Sequence, residues 1–215
     1  MNTNNPLLVS DSNLPLFSQI SAQHVEPAVD SLCKQVREEF TSLEEEKVCS
    51  WETIMLPLVE IDQKIHKVWS TVSHLHGVGN SKDLRSTYEK CLPKVIDLSL
   101  HMSQSKAIYE KLRSLADSDG YDDFTPTQKR SLKKRLQDAD LSGVGLSKKD
   151  KSTYNELAKK LSNLETSFSN NVLDATKSFT LTLTTKDDVE GLPTSLLELA
   201  SQTYKEKNSD KASSP

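Results

Sequence analysis

Phe168-Ser-Asn-Asn-Val-Leu-Asp-Ala-Thr-Lys-Ser-Phe179, running into Thr180-Leu-Thr-Leu183, is where the rhythm of the chain changes. Before the change, Tyr154, Leu157, Leu161, Leu164, Phe168, Val172 and Ala175 recur at three and four, the period of one helix face. After it, Phe179, Leu181 and Leu183 alternate with Thr180, Thr182 and Thr184, the two-residue rhythm of a half-buried strand rich in β-branched residues. The fold class that follows is mainly α: an elongated multi-helix bundle with one short C-terminal β-strand segment. A lone strand needs a partner to satisfy its backbone.

Working back from this stretch, Ser147-x-x-Asp150 caps the long helix and Gly143-Val-Gly145 supplies the turn before it. Thr125-Pro126-Thr127-Gln128 has the form of a capping box with proline at the first helical position, so a helix runs from there to about Leu141. Upstream, Ser81 caps a third helix whose stripe is Leu84, Tyr88, Cys91, Val95, Leu98, Met102, Tyr109 and Leu112, interrupted only at Ser105 and bent at Pro93. Trp51, Ile54, Leu58, Ile61, Ile65, Trp69, Val72 and Leu75 mark the second helix, in which Pro57 requires either a kink or a first-turn position, and Gly77-Val-Gly79 stops it. The first helix spans Ser21 to Glu46 on Val29, Leu32, Val36, Phe40 and Leu43, ending in Glu44-Glu45-Glu46, whose charges oppose the helix dipole.

The domain reading is an extended arm over residues 1–20, held by Leu14, Leu16, Phe17 and Ile20; a helical domain over 21–204; and a polar, disordered tail over 205–215. Within the domain, Gly191-Leu-Pro193 is a turn and Thr194 caps a short helix to about Tyr204. There is no internal repeat.

Composition narrows the function classes. An apolar share of 35%, six glycines and a mean hydropathy of -0.55 suit a water-exposed helical protein with few hairpins. A net charge of -4 gives no strong field toward nucleic acid or acidic membranes. Cys33, Cys49 and Cys91 are odd in number and lack C-x-x-C spacing, which argues against a disulfide framework or a cysteine zinc site and for a reducing compartment. With no basic N-terminal region and no apolar run of membrane-spanning length, the expected location is cytoplasmic, with no membrane partner.

The chemistry-bearing residues give no complete site. His24, His66, His74, His76 and His101 contain no pair one helical turn apart and no H-E-x-x-H, the arrangement that aims two imidazoles at one zinc with a glutamate between them. His74 and His76, two apart, fall on different helix faces and read as packed or solvated. Lys129, Arg130, Lys133, Lys134 and Arg135 put five basic residues in seven, but without interleaved aromatics they read as a solvated helix face rather than a nucleic-acid site. Asp122-Asp123 and Asp187-Asp188 sit at turns and helix starts, where capping explains them. The Gly-x-Gly turns lack a third glycine, no G-x-S-x-G or phosphate-binding loop is present, and Cys91 lies on a core stripe. No catalytic, cofactor-binding or metal-binding residue is assigned in this chain.

Asn5-Pro-Leu-Leu8, His24-Val-Glu-Pro-Ala-Val29, Val68-Trp-Ser-Thr-Val-Ser-His-Leu75, Leu141-Ser-Gly-Val-Gly-Leu146 and Phe168-Ser-Asn-Asn-Val-Leu-Asp-Ala-Thr176, in that order, resemble the N-terminal region of the oligopeptidase A group within the thimet oligopeptidase family of zinc metallopeptidases. The likeness extends to about Tyr204. It implies a mostly helical enzyme with a deep channel that admits short peptides and excludes folded proteins. It further implies a zinc held by the two histidines of H-E-x-x-H and a downstream glutamate, all later in the family's chain than any residue here. On that resemblance this chain lacks the catalytic domain and forms one channel wall, and its partners are the catalytic domain of the same polypeptide and short peptide substrates. Zinc belongs to the full-length enzyme, and the strand at Phe179 to Thr184 pairs with later sequence. The competing expectation is a non-catalytic helical interaction module derived from a truncated relative, which requires an exposed apolar patch.

Overall fold

Ser21 opens the first helix, α1 (Ala22–Glu45), by a reciprocal cap in which the Ser21 N–H donates to His24 Nδ1 at 3.0 Å. From there the 3-4 spacing dictates what is buried: Val25, Val29, Leu32, Val36, Phe40 and Leu43 all face the core. The computed structural model describes residues 5–9 and 14–212. They divide into two compact units, residues 1–164 and residues 165–215. Among the described residues there are seven α-helices and no strand.

The first unit is a helical assembly in which α1 packs against α2 (Leu56–Val78) and α3 (Lys82–Ser103), while α4 (Lys106–Ala116) packs against α5 (Pro126–Leu141). The entry to α2 resolves the Pro57 question. Ser50 and Thr53 cap each other, Trp51–Met55 forms a π-helical turn, and Pro57 sits in the first turn of α2, where its missing N–H costs nothing.

One expectation is corrected here. The stripe from Leu84 to Leu112 is two helices, with the break at Gln104–Ser105. Ser105 is extended (φ -70°, ψ 116°); its hydroxyl accepts from the Ile108 N–H at 3.2 Å and donates to Glu44 Oε1 at 2.5 Å. A serine that satisfies the backbone locally competes with helix continuation, and here it restarts the helix in a new phase that buries Ile108, Leu112 and Leu115. The same contacts explain the acids at the end of α1. Glu44 holds Ser105, Glu46 Oε1 accepts from the Val48 N–H at 2.8 Å, and Lys111 donates to the Glu46 carbonyl, so tertiary partners outweigh the unfavourable dipole.

In the N-terminal segment Ile20 packs against the core and Phe17 meets the His74 ring, while the Leu14 side chain is 75% exposed. Leu7 is buried, Asn5 Nδ2 donates to the His24 carbonyl at 2.8 Å, and Lys67 donates to the Val9 carbonyl at 3.1 Å. On the flank of α1 and α3, Lys94 bridges Glu26 (3.2 Å) and Asp30 (2.5 Å), and Lys90 reaches Glu26 at 2.7 Å. The hydrogen bonds from Lys90 and Lys94 hold Glu26 below its ordinary pKa of 4.5. A lowered folded-state pKa means stability that is present above 4.5 and is lost as pH falls through the folded value. In acid titrations Glu26→Gln is therefore expected to reduce the steepness of the stability loss below that pH, with only a small effect at pH 7.

The capping box at Thr125 forms as expected: the Gln128 N–H donates to Thr125 Oγ1 at 3.3 Å and the Thr125 N–H to Gln128 Oε1 at 2.9 Å. At the other end of α5 the Val144 N–H bonds the Ala139 carbonyl (3.1 Å) and the Gly143 N–H bonds the Asp140 carbonyl (3.0 Å), a Schellman arrangement with Gly143 at φ +82°. A β-carbon on Gly143 would stand 2.6 Å from Leu146 Cδ1. Gly143→Ala is accordingly expected to lower stability by about 1–2 kcal/mol, read as a reduced urea midpoint with unchanged m-value.

The long helix α6 (Lys148–Ser178) begins in the first unit and continues into the second. In the second unit the expected strand is absent. Residues 179–184 have no regular secondary structure, and Phe179 and Leu181 are 71% and 70% exposed. The alternating pattern specifies a strand only where another strand can supply the ladder, and none of the described residues does so. Beyond it the Asp188 carboxylate accepts from the Thr185 N–H at 3.1 Å, Gly191 turns at φ +81°, and α7 (Thr194–Ala212) continues past Tyr204, so residues 205–212 are helical.

Candidate functional site

Two surfaces carry more than local structure. The first is a groove of about 570 Å³ in the first unit, among α1 to α5. Its interior is apolar because successive turns of α2 and α3 present Leu58, Ile65 and Trp69, and Val95, Leu98 and Met102, toward it, and α4 adds Ile108 and Leu112. Its rim is polar: Asp62 on α2 pairs with Arg135 on α5 at 2.5 Å, beside His66, Ser70 and Asp138. Trp69 is fixed by stacking on Tyr88 (4.9 Å between centroids, 16° between planes). The side chains gathered here can hold an apolar body and a charged group; they do not set a nucleophile beside a base.

The second surface is α6. In the first unit Leu157, Leu161 and Leu164 are 62%, 57% and 58% exposed, and in the second unit Phe168 is 70% and Val172 49% exposed. Five large apolar side chains at helical spacing are core-forming by pattern and uncovered in fact. Surface-exposed apolar residues occurring singly are ordinary, whereas Leu157, Leu161 and Leu164 lie at helical spacing within the first unit and Phe168 and Val172 do so within the second.

The residues singled out from the sequence disperse. His24 caps α1, His74 meets the Phe17 ring, His76 is buried on Tyr88 (4.1 Å), and His101 meets Phe40 edge-on. Only His66 lies on the groove. The described residues bring no group of three or more histidine, cysteine or carboxylate side chains into a metal-holding arrangement. Of the basic run, Lys129 bonds the Asp122 carbonyl and lies over Tyr121, Lys134 pairs with Asp138, and Arg135 pairs with Asp62, so acids offset this helix face. Cys91 is fully buried and burial pushes its thiol up to about 11, which keeps it protonated and unreactive. Asp188 is held low by hydrogen bonds from Thr185 and Thr184, a capping role. No helix among the described residues is long and apolar enough to cross a membrane.

Sequence reasoning missed the groove because it assigned every stripe residue to the core. The signal was present in Ser70, Ser99 and Ser103, small polar residues interleaved with the apolar positions, which leave space between helices where larger side chains would fill it.

Residues 29–151 match the family model described as the neurolysin/thimet oligopeptidase N-terminal domain. The chain is 37% identical to oligopeptidase A of Haemophilus influenzae over 96% of its own length and 38% identical to oligopeptidase A of Escherichia coli over 91%. A probable cytosolic oligopeptidase A of Arabidopsis thaliana is 32% identical over 98% of the chain. The chain spans about 30% of the length of these relatives.

Proposed function

Because this chain belongs to the neurolysin/thimet oligopeptidase family and corresponds to its N-terminal domain, we propose that it serves as a non-catalytic helical wall of an oligopeptidase that degrades short peptides, acting in the cytoplasm. The wall limits access by shape and size. Zinc and its ligands belong to sequence outside these 215 residues: the histidines present are spaced by eight and two or lie on separate helices, so they do not fit a helical zinc site, and no catalytic step is assigned to this chain.

The observation that carries this reading is the uncovered apolar stripe of α6. Within the first unit α6 exposes Leu157, Leu161 and Leu164, which call for a covering surface, and the relatives are about three times as long as this chain. In this proposal the rest of the polypeptide covers the stripe and supplies the partner that the alternating residues 179–184 require. The same stripe also suits a free-standing interaction module that binds another protein. A peptidase assay tests what the two readings share, that this chain alone does not cleave. The purified chain is expected to leave short fluorogenic peptides intact with or without added zinc; chelator-sensitive cleavage by this chain alone would overturn the assignment of catalysis to sequence elsewhere.

A further inference from the structure

Within the first unit, α6 is mounted with its apolar face outward. Leu157, Leu161 and Leu164 meet solvent, while the less exposed side carries Lys151, Asn155 and Lys159 with Tyr154 and Ala158, all half-buried. Over residues 145–164 no apolar side chain is buried; the last that is, Val144 at 3% exposure, belongs to the turn before the helix. Burial of an apolar face is what fixes most helices to their domain, and this segment is fixed by other means.

Those means converge on Gln104, the residue that ends α3. Its side-chain amide donates to the Ser142 carbonyl at the end of α5 (2.9 Å) and to Asn155 Oδ1 on α6 (2.7 Å). Its own carbonyl accepts from Lys151 Nζ at 3.2 Å. One turn beyond Asn155, Lys159 pairs with Asp97 of α3 at 2.7 Å, both side chains nearly half exposed. Bonds of this kind orient one helix on another, but each replaces a bond to water, and an exposed ion pair contributes little. They set where α6 lies without holding it there strongly. A pivot is in place as well. Val144 is buried and Gly143 sits in the left-handed region, whereas a β-carbon on Gly145 would meet nothing within 4 Å.

We propose that residues 148–164 form a hinged strut, latched to the corner between α3 and α4 by Gln104, which lifts about residues 145–147 while α1 to α5 stay folded. Lifting frees the leucine face to turn toward a covering surface. That purpose rests on the proposal above that such a surface exists; the movement itself rests on the first unit alone. Once lifted the strut does not keep its helix, because Ser152, Thr153, Asn155, Ser162 and Asn163 are weak helix formers, so lifting is read directly as amide exchange.

The test is hydrogen exchange of the purified chain followed by mass spectrometry, with rates corrected for their intrinsic values. Amides of residues 151–164 are expected to exchange at least about a hundredfold faster than those of residues 92–98 in α3. Gln104→Ala is expected to speed residues 151–164 by a further factor of about five, the loss of one hydrogen bond of ordinary strength, with α1 and α3 unchanged. Asn155→Val, which removes the acceptor at similar helix propensity, is expected to give the same selective rise and serves should Gln104→Ala fail to fold. Exchange of residues 151–164 as slow as that of α3, rates unaltered in the folded variants, or a rise spread equally over α1 and α3 would overturn the proposal. The readout needs neither a covering surface nor peptidase activity. Its failure therefore leaves the assignment of the chain as an oligopeptidase wall untouched, and failure of that assignment leaves a demonstrated strut standing.

Discussion

Phe40→Ala is expected to destabilise the chain by about 3–5 kcal/mol, against a total of about 5–15 kcal/mol for a domain of ordinary stability. Phe40 is 1% exposed on the inner face of α1, in edge-to-face contact with His101 and beside Leu98 at the groove. Truncation removes its transfer free energy and leaves a void that the rigid helices around it close only partly. The measurement is urea denaturation, with the midpoint reduced and the m-value unchanged. Leu157→Ala provides the contrast: its side chain is 62% exposed, and a change within about 0.5 kcal/mol is expected despite an equally helical position in the pattern. Equal losses at the two positions would contradict the division between covered and uncovered stripes.

The second large effect is conditional on covalent context. Phe168→Glu is expected to leave the isolated chain's stability within about 0.5 kcal/mol of the parent, because the side chain is 70% exposed, and to reduce any self-association through the stripe. Joined to an oligopeptidase catalytic portion, the same substitution is expected to cost at least about 2 kcal/mol in docking, as it places an unpaired carboxylate where an apolar anchor belongs. Thermal melts of the two forms check this, the joined form alone showing a lowered transition.

How much was legible in the sequence depended on whether the signal was local. The capping box at Thr125 and the glycine at the end of α5 are local chemistry, and each formed from its own few residues, whereas for Pro57 the spacing left a kink or a first-turn position open and the structure decided for the first turn. Periodicity named the buried face of α1 residue by residue. It failed at Ser105, where one hydroxyl shared between Ile108 and Glu44 ended a helix that the stripe would have continued. It failed again at residues 179–184, because alternation states which face is apolar and leaves open whether a neighbouring strand exists. The stripe of α6 is the same lesson in helical form: spacing identified the face, while its exposure depends on what lies against it. The groove followed from serines whose significance is tertiary, since a small side chain is a gap only when nothing larger leans into it.

The most direct test joins this chain, in place of the matching N-terminal part, to the remainder of Escherichia coli oligopeptidase A, to which it is 38% identical, and measures cleavage of a short fluorogenic peptide. A chimera that cleaves the peptide and loses activity with a chelator, while neither part does so alone, is the expected result. A folded chimera that fails to cleave where the parent enzyme succeeds would contradict the account of this chain as an oligopeptidase wall.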